Sequence, residues 1–271
     1  MDRTLPIYTI EGTEFIVDVA GLQLREKDNA ENTISLFDMR DVGDRYVFDY
    51  NPRIKNIPVE LSEYAGSMVV EIPELVKLDP EGMAKKYNVA NVAGKSDFEV
   101  MVDQDTLYTR IKLGKLPTID IAGHTFYADA RINLLRPKDD FMTMGINFSE
   151  IDSYFFEDID RYMIPYNPKT HDLQEPHYNT ITQCRKDLIL IEFPHERTLD
   201  PVGWNRYNGF RETDNLKETG LKLEFKAQII TWDKIGLGET IQRNIKKQQD
   251  QQIKQTVETG KTGKRRRGPK L

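Results

Sequence analysis

The chain says nearly the same thing twice. LPIYTIEGTEFIVDVAGLQLREKDN from Leu5 aligns without a gap with LPTIDIAGHTFYADARINLLRPKDD from Leu116. Further on, YVFDYNPR matches YMIPYNPK, and VVEIPELVKLDPEG matches LIEFPHERTLDPVG, at offsets that grow from 111 to 116 to 121. Insertions that accumulate in one copy while motif order is kept are what surface loops tolerate. Two copies are too few for a solenoid, so tandem homologous domains are expected: a first repeat over 1–113, a second over 114–245, and an extension over 246–271. Each copy is small, and its core is correspondingly modest.

What both copies keep is turn and cap chemistry. Ile10-Glu11-Gly12-Thr13 and Ile121-Ala122-Gly123-His124 read as hairpin turns, glycine supplying the positive φ that a two-residue connection needs. Phe15, Val17 and Val19 alternate with polar neighbours, the period-2 pattern of a half-buried strand. NTISLFDM and DRYVFDYNP read as further strands, the latter ended by an Asn-Pro turn in each copy. SMVVEIP and DLILIEFP are nearly continuous apolar runs and are expected to be the most buried strands. A further apolar run follows each LDPxG segment, DFEVMV in the first copy and LKLEFKAQII in the second, and then a stretch of helical character.

The repeated Leu-Asp-Pro-x-Gly reads as a helix start. Asp79 and Asp200 stand at N-cap, where a carboxylate accepts the free N–H groups of the first turn and meets the positive end of the helix dipole. Pro80 and Pro201 occupy N1, where the missing N–H costs nothing. Leu78 with Met83, and Leu199 with Trp204, hold the positions of a hydrophobic staple. Gly82 and Gly203 are poor helix formers, and close packing on the preceding strand is the expected reason for them.

Patterns that carry chemistry are sparse. One cysteine, Cys184, allows neither an intrachain disulfide nor a thiolate cluster, which fits a reducing compartment. His124, His171, His177 and His195 lack zinc-ligand spacing, so no metal is expected. His171 and His177 read as loop residues; His124 and His195 replace Thr13 and Glu74 of the other copy. The acidic run with Glu150, Asp152, Glu157, Asp158 and Asp160 lacks the order of a calcium loop and reads as a solvated insertion anchored by Tyr154, Phe155 and Phe156. There is no nucleophile elbow and no phosphate-binding glycine loop, GLGET at Gly236 being too short a fragment to count. No catalytic residue and no cofactor are expected. One polar constellation recurs, Leu-Arg-x-Lys-Asp: Arg25 and Lys27, then Arg136 and Lys138, are candidate anion-binding residues, against a plainer role as strand-end ion pairs.

Charge is distributed unevenly. Residues 243–271 hold ten Lys/Arg and two Asp/Glu, while the other 242 residues hold 28 and 42. The segment from Glu239 reads as a weakly amphipathic helix carrying Ile241, Ile245, Ile253 and Val257. Beyond it, ETGKTGKRRRGPKL gathers Lys261, Lys264, Arg265, Arg266, Arg267 and Lys270 among glycines and a proline, too polar to bury a core and expected to be disordered by itself. Such a tail contacts DNA or RNA phosphates by releasing counterions, rests on an acidic protein surface, its own or a partner's, or is a plain solubilising tail that binds nothing. The first residues hold an early acid and no apolar run, so no signal peptide is expected. No stretch reaches the length of a bilayer span, and a cytoplasmic location is the expectation.

Leu5–Phe15, Leu116–Phe126, Leu78–Gly82, Leu199–Gly203 and Ile241–Asn244 together resemble a family of internally duplicated proteins from gut-type anaerobic bacteria, encoded near conjugative and other mobile elements and without an assigned activity. The resemblance implies a context, an accessory factor of a mobile element, and transfers no site residue.

The sequence therefore leads to an α+β protein of two tandem domains. Each is expected to be a mainly antiparallel sheet of hairpins with one or two helices, followed by the basic tail. The expected function is non-enzymatic: weak nucleic-acid binding through the tail, and a protein partner on the acidic body. A pure protein-interaction adaptor or inhibitor mimicking nucleic-acid charge remains the alternative, and an enzyme using Arg25 or Arg136 between the copies the third reading.

Overall fold

The computed structural model describes residues 3–140 and 142–262. Its contacts divide the chain into two units: one runs to Lys112 and takes in Thr213–Leu221, the other comprises Leu113–Glu212 and the chain from Lys222 onward. The fold is mixed α and β with mostly antiparallel sheets.

In the first unit, β1 (Ile7–Ile10) and β2 (Thr13–Asp18) form the expected hairpin, with Ile10 opposite Thr13 and Ile7 opposite Ile16. Glu11 and Gly12 both have positive φ, 47° and 80°, the geometry that matches strand twist in a two-residue turn. β3 (Gln23–Glu26) and β4 (Thr33–Ser35) complete a four-stranded sheet in sequence order. The strand expected over NTISLFDM stops at Ser35, whose hydroxyl accepts the Phe37 N–H and turns the chain into a 3-10 turn. A second sheet, β5 (Arg40–Asp41), β6 (Arg45–Tyr50) and β7 (Met68–Pro73), follows. Phe15, Leu24 and Ile34 from the first sheet share a core with Tyr46, Tyr50 and Ile72 from the second and Met83 from the helical layer.

That layer holds α1 (Leu75–Leu78), α2 (Pro80–Tyr87), α3 (Asp97–Met101) and α4 (Gln104–Ile111). It has four short helices where one or two were expected. The apolar run DFEVMV is α3, because Ser96 accepts the Glu99 N–H while the Glu99 carboxylate accepts the Ser96 N–H, a reciprocal capping box.

The second unit opens with β8 (Thr118–Ile121) and β9 (His124–Asp129), joined by Ala122-Gly123 with φ of 53° and 89°. β10 (Leu134–Pro137) and β11 (Ile146–Asn147) extend this sheet. The acidic insertion is ordered, not a loop: α5 (Phe148–Ile151) and 3-10 turns lead to β12 (Phe155–Phe156), which pairs with β13 (Arg161–Asn167). Tyr154 and Phe155 pack on the core as expected, but Phe156 is exposed. β14 (Asp172–Leu173), β15 (Ile189–Pro194), α6 (Glu196–Leu199) and α7 (Pro201–Tyr207) come next. α8 (Leu216–Thr219) belongs to the first unit, and the chain returns through β16 (Glu224–Lys226) and β17 (Gln228–Ile230). β16 joins β8 in parallel, giving the order β11-β10-β9-β8-β16, and β17 joins β15 antiparallel, giving β12-β13-β15-β17.

Each unit thus has two sheets where one was expected. The Asn-Pro turns behave alike: buried Asn51 and Asn167 accept the N–H of Arg53 and Lys169 at 2.9 and 3.0 Å. α9 (Leu237–Thr262) is about 39 Å long at 1.5 Å per residue. Its base is fixed by Asn244, 4% exposed, whose amide donates to the Tyr178 and Ile181 carbonyls at 2.8 and 2.9 Å. From Ile245 to Lys254 every side chain is exposed. The helix reaches into the segment expected to be disordered, taking in Glu258–Thr262. No helix among the described residues is long and apolar enough to cross a membrane.

Candidate functional site

The LDPxG acids start helices. The Asp79 carboxylate accepts the Gly82 N–H at 2.9 Å and is gripped by both Nη atoms of Arg3. Asp200, fully buried, accepts the Gly203 N–H at 3.1 Å and the Ala130 N–H at 3.3 Å. The two N-caps have nearly the same backbone, φ/ψ of −144°/72° and −139°/71°. Burial works to raise the Asp79 carboxyl, but the Arg3 fork and the Gly82 N–H hold it below the ordinary carboxylate value.

The glycines have a different reason from the expected strand packing. A Cβ on Gly82 would stand 2.2 Å from Asp79 Oδ2, and one on Gly203 would stand 2.0 Å from Asp200 Oδ2. The residue at N3 must be glycine because the capping carboxylate folds back over it. The staple is also unequal. Met83 and Leu78 both pack into the first core, whereas Trp204 is only half-buried, stacked on Phe210 at 5.7 Å with the Arg197 guanidinium 5.7 Å from its ring.

A buried network in the first unit was not legible in the sequence. Asp97 has no exposure and accepts the N–H groups of Leu75 at 2.8 Å and Val76 at 2.7 Å, so α3 caps α1. Its own N–H donates to Glu74 Oε1 at 2.8 Å. Tyr46 donates to Asp97 at 2.7 Å, and Lys217 of α8 donates to the Tyr46 hydroxyl at 3.0 Å. Lys217 also pairs with Asp41 and lies 4.6 Å from the Tyr46 ring centre. Burial pushes both Asp97 and Tyr46 upward, so the phenol stays protonated as a donor and offers no nucleophile or base.

The second unit builds a more open arrangement. Tyr162 donates to Glu196, whose Oε2 lies 3.1 Å from His195 Nε2, while His195 Nδ1 accepts the Arg197 N–H and caps α6. Beside them is a cavity of about 230 Å³ lined by Asn133, Ser149, Asp152, Glu196, Tyr207 and Asn208 among others. Its walls offer donors and acceptors for a polar guest. His124 and His171, far apart in sequence, stack with ring centres 3.7 Å apart, and His171 Nδ1 lies 3.2 Å from the Tyr166 hydroxyl. Burial and the neighbouring His124 lower the His171 pKa from its ordinary value.

The recurring basic residues stand on sheet strands and their ends. Lys27 pairs with Glu14 at 2.6 Å, and Arg25 Nε lies 4.0 Å from Asp18. Arg136 lies over the Tyr127 ring at 5.4 Å, and Lys138 is exposed. In the first unit, neighbouring carboxylates already meet the cations that an anion would need. Lys261 falls in the last turn of α9; Lys264, Arg265, Arg266, Arg267 and Lys270 lie outside the described residues. Among the described residues no three His, Cys, Asp or Glu side chains are grouped to hold a metal. Compared with protein families, curated proteins and solved structures, the chain matches none of them.

Proposed function

We propose that the chain is a non-enzymatic binding protein, an accessory factor of a bacterial mobile element. Its body engages a protein partner, and its basic C-terminal segment holds nucleic acid without sequence preference. The observation that carries this reading is the charge division between the chain before residue 243 and the segment that α9 leads into. α9 is anchored through Asn244, exposes its described side chains thereafter, and leads into a segment with six Lys/Arg from residue 261 on, while the chain before residue 243 is acidic. Supporting a binding role over catalysis, the buried carboxylates Asp97 and Asp79 are spent on helix N–H groups, and buried Glu26 on Lys55 and Asn32.

Two copies of one ancestral unit make up that body in this reading. Its support is the shared hairpin geometry, the paired Asn turns and the near-identical backbone at Asp79 and Asp200.

Binding to random duplex DNA, followed by fluorescence anisotropy across a salt series, tests the tail. Neutralising phosphates with six cations gives a slope of log K against log salt of about −5. Deleting residues 260–271 abolishes this binding. If binding persists without them, the tail is not the nucleic-acid site; if the full chain binds no DNA, the chain is a protein-interaction module alone.

A further inference from the structure

One segment of the second unit closes two sheets. Glu224–Lys226 runs parallel to β8, and Gln228–Ile230 runs antiparallel to β15, with Ala227 between them, 7% exposed in the core. Thr118 N–H bonds the Leu223 carbonyl and Ala227 N–H bonds the Asp120 carbonyl, both at 2.8 Å. Under this segment Leu190 and Ile191 of β15 have no exposure.

Among the described residues the first unit has corresponding strands without a closing segment. β7 pairs with β6 in the register by which β15 pairs with β13: Arg45 faces Pro73 as Arg161 faces Pro194. Yet β7 is the last strand of its sheet, and β1, the counterpart of β8, is the last of the other. Val69, at the position of Leu190, is 67% exposed, Val70 is half-buried, and Ile7 is 47% exposed. The apolar run that supplies the seal in the second unit is spent as α3 in the first. An exposed apolar edge is a template for another strand, and proteins ordinarily blunt such edges with charge or proline. The one charge inside β7 is Glu71, and its counterpart Glu192 is itself paired with β17. Met68-Val69-Val70 carries neither charge nor proline, and Pro73 stands only at the strand's end.

We propose that the first unit takes an extended segment of a partner protein as an added strand, antiparallel along β7 at Val69–Glu71 and reaching β1, as Leu223–Ile230 does in the second unit. The occupant is a strand of alternating apolar and polar residues with a small residue where it passes between the sheets. Its flanks are basic, because the first unit holds 23 Asp/Glu against 14 Lys/Arg. Main-chain bonds to the edge supply affinity and alternate side chains supply selectivity. The inference names the partner surface of the binding function proposed above and rests on the correspondence between the units; it is independent of the tail.

A phage-displayed library of random twelve-residue peptides, selected on the full chain and counter-screened on Val69→Lys and Ile7→Lys, tests it. Both positions are exposed, and circular dichroism verifies that the variants fold. The expected result is enrichment of alternating peptides whose synthetic forms bind at least tenfold more weakly to Val69→Lys and protect the amides of Val69–Glu71 from hydrogen exchange. No enrichment overturns the proposal, as do peptides binding wild type and both variants equally, or protection at Leu190–Glu192 instead. A concentration-dependent dimer abolished by Val69→Lys assigns the edge to a second copy and also overturns it. DNA binding by the tail is read in a separate assay, so either function can fail without the other.

Discussion

Replacing Gly203 by alanine sets helix propensity against tertiary geometry. In a helix interior alanine is favoured over glycine by about 1 kcal/mol. Here the new Cβ would lie 2.0 Å from Asp200 Oδ2, 2.7 Å from its Cγ and 3.0 Å from the Arg131 backbone nitrogen. The carboxylate is the part able to move, and moving it removes the N-cap, a loss of about 1–2 kcal/mol. It also leaves the Ala130 N–H without its acceptor in a buried place, which costs a further 1–3 kcal/mol or about that. Against the propensity gain, the net expectation is a destabilisation of about 2 kcal/mol. Trp204, the adjacent residue and one of two tryptophans, reports urea unfolding by fluorescence; the midpoint falls with the slope unchanged. The decisive comparison is a double-mutant cycle. In an Asp200→Ala background the carboxylate clash is gone and only the 3.0 Å approach to the Arg131 nitrogen is left, so Gly203→Ala becomes far less costly, at best stabilising by up to about 1 kcal/mol. If Gly203→Ala stabilises the otherwise unchanged protein, or the two substitutions simply add, the carboxylate is not what demands the glycine.

Other perturbations have equally definite outcomes. Lys217→Met keeps the stem but removes the cation from Tyr46 and Asp41; a loss of about 1–3 kcal/mol is expected, read as faster hydrogen exchange in β6 and α3. Arg3→Ala leaves the buried Asp79 carboxylate without its fork. With Arg3 the folded Asp79 pKa lies below its ordinary 3.8, so its contribution is complete above that value and fades as pH falls through the lower folded one; in the variant the acid-unfolding limb moves to higher pH. His171 has a lowered folded pKa, so the fold binds fewer protons than the unfolded chain as pH falls below 6.5. Stability attributable to it is full above 6.5 and declines below. His124 and Asp140 are the groups that face it, and His171→Asn, which tolerates the positive φ of 58° there, flattens that decline. An NMR titration placing His171 above 6.5 would contradict this.

Sequence by itself determined the features that are settled within a few residues. The turn at Glu11-Gly12, the Asn51 and Asn167 turns and the helix starts at Asp79 and Asp200 each close a hydrogen bond two or three positions away, so the residue types announce them. Capping at α3 was equally local, since Ser96 and Glu99 stand three apart, and an S-x-x-E reading of SDFE would have found it. Tertiary structure decided everything that depended on distant partners. No local pattern told that Asp97 would cap a helix 22 residues earlier, that Lys217 would reach Tyr46 across 171 positions, or that His124 and His171 would stack. Nor could composition separate two apolar runs of similar character, one becoming a helix and the other a strand that seals two sheets. A strand is stabilised by its neighbours' backbone groups, and which neighbours are present is a property of the folded chain. That is why β15 is closed and β7, with much the same apolar sequence, has no further strand beside it among the described residues.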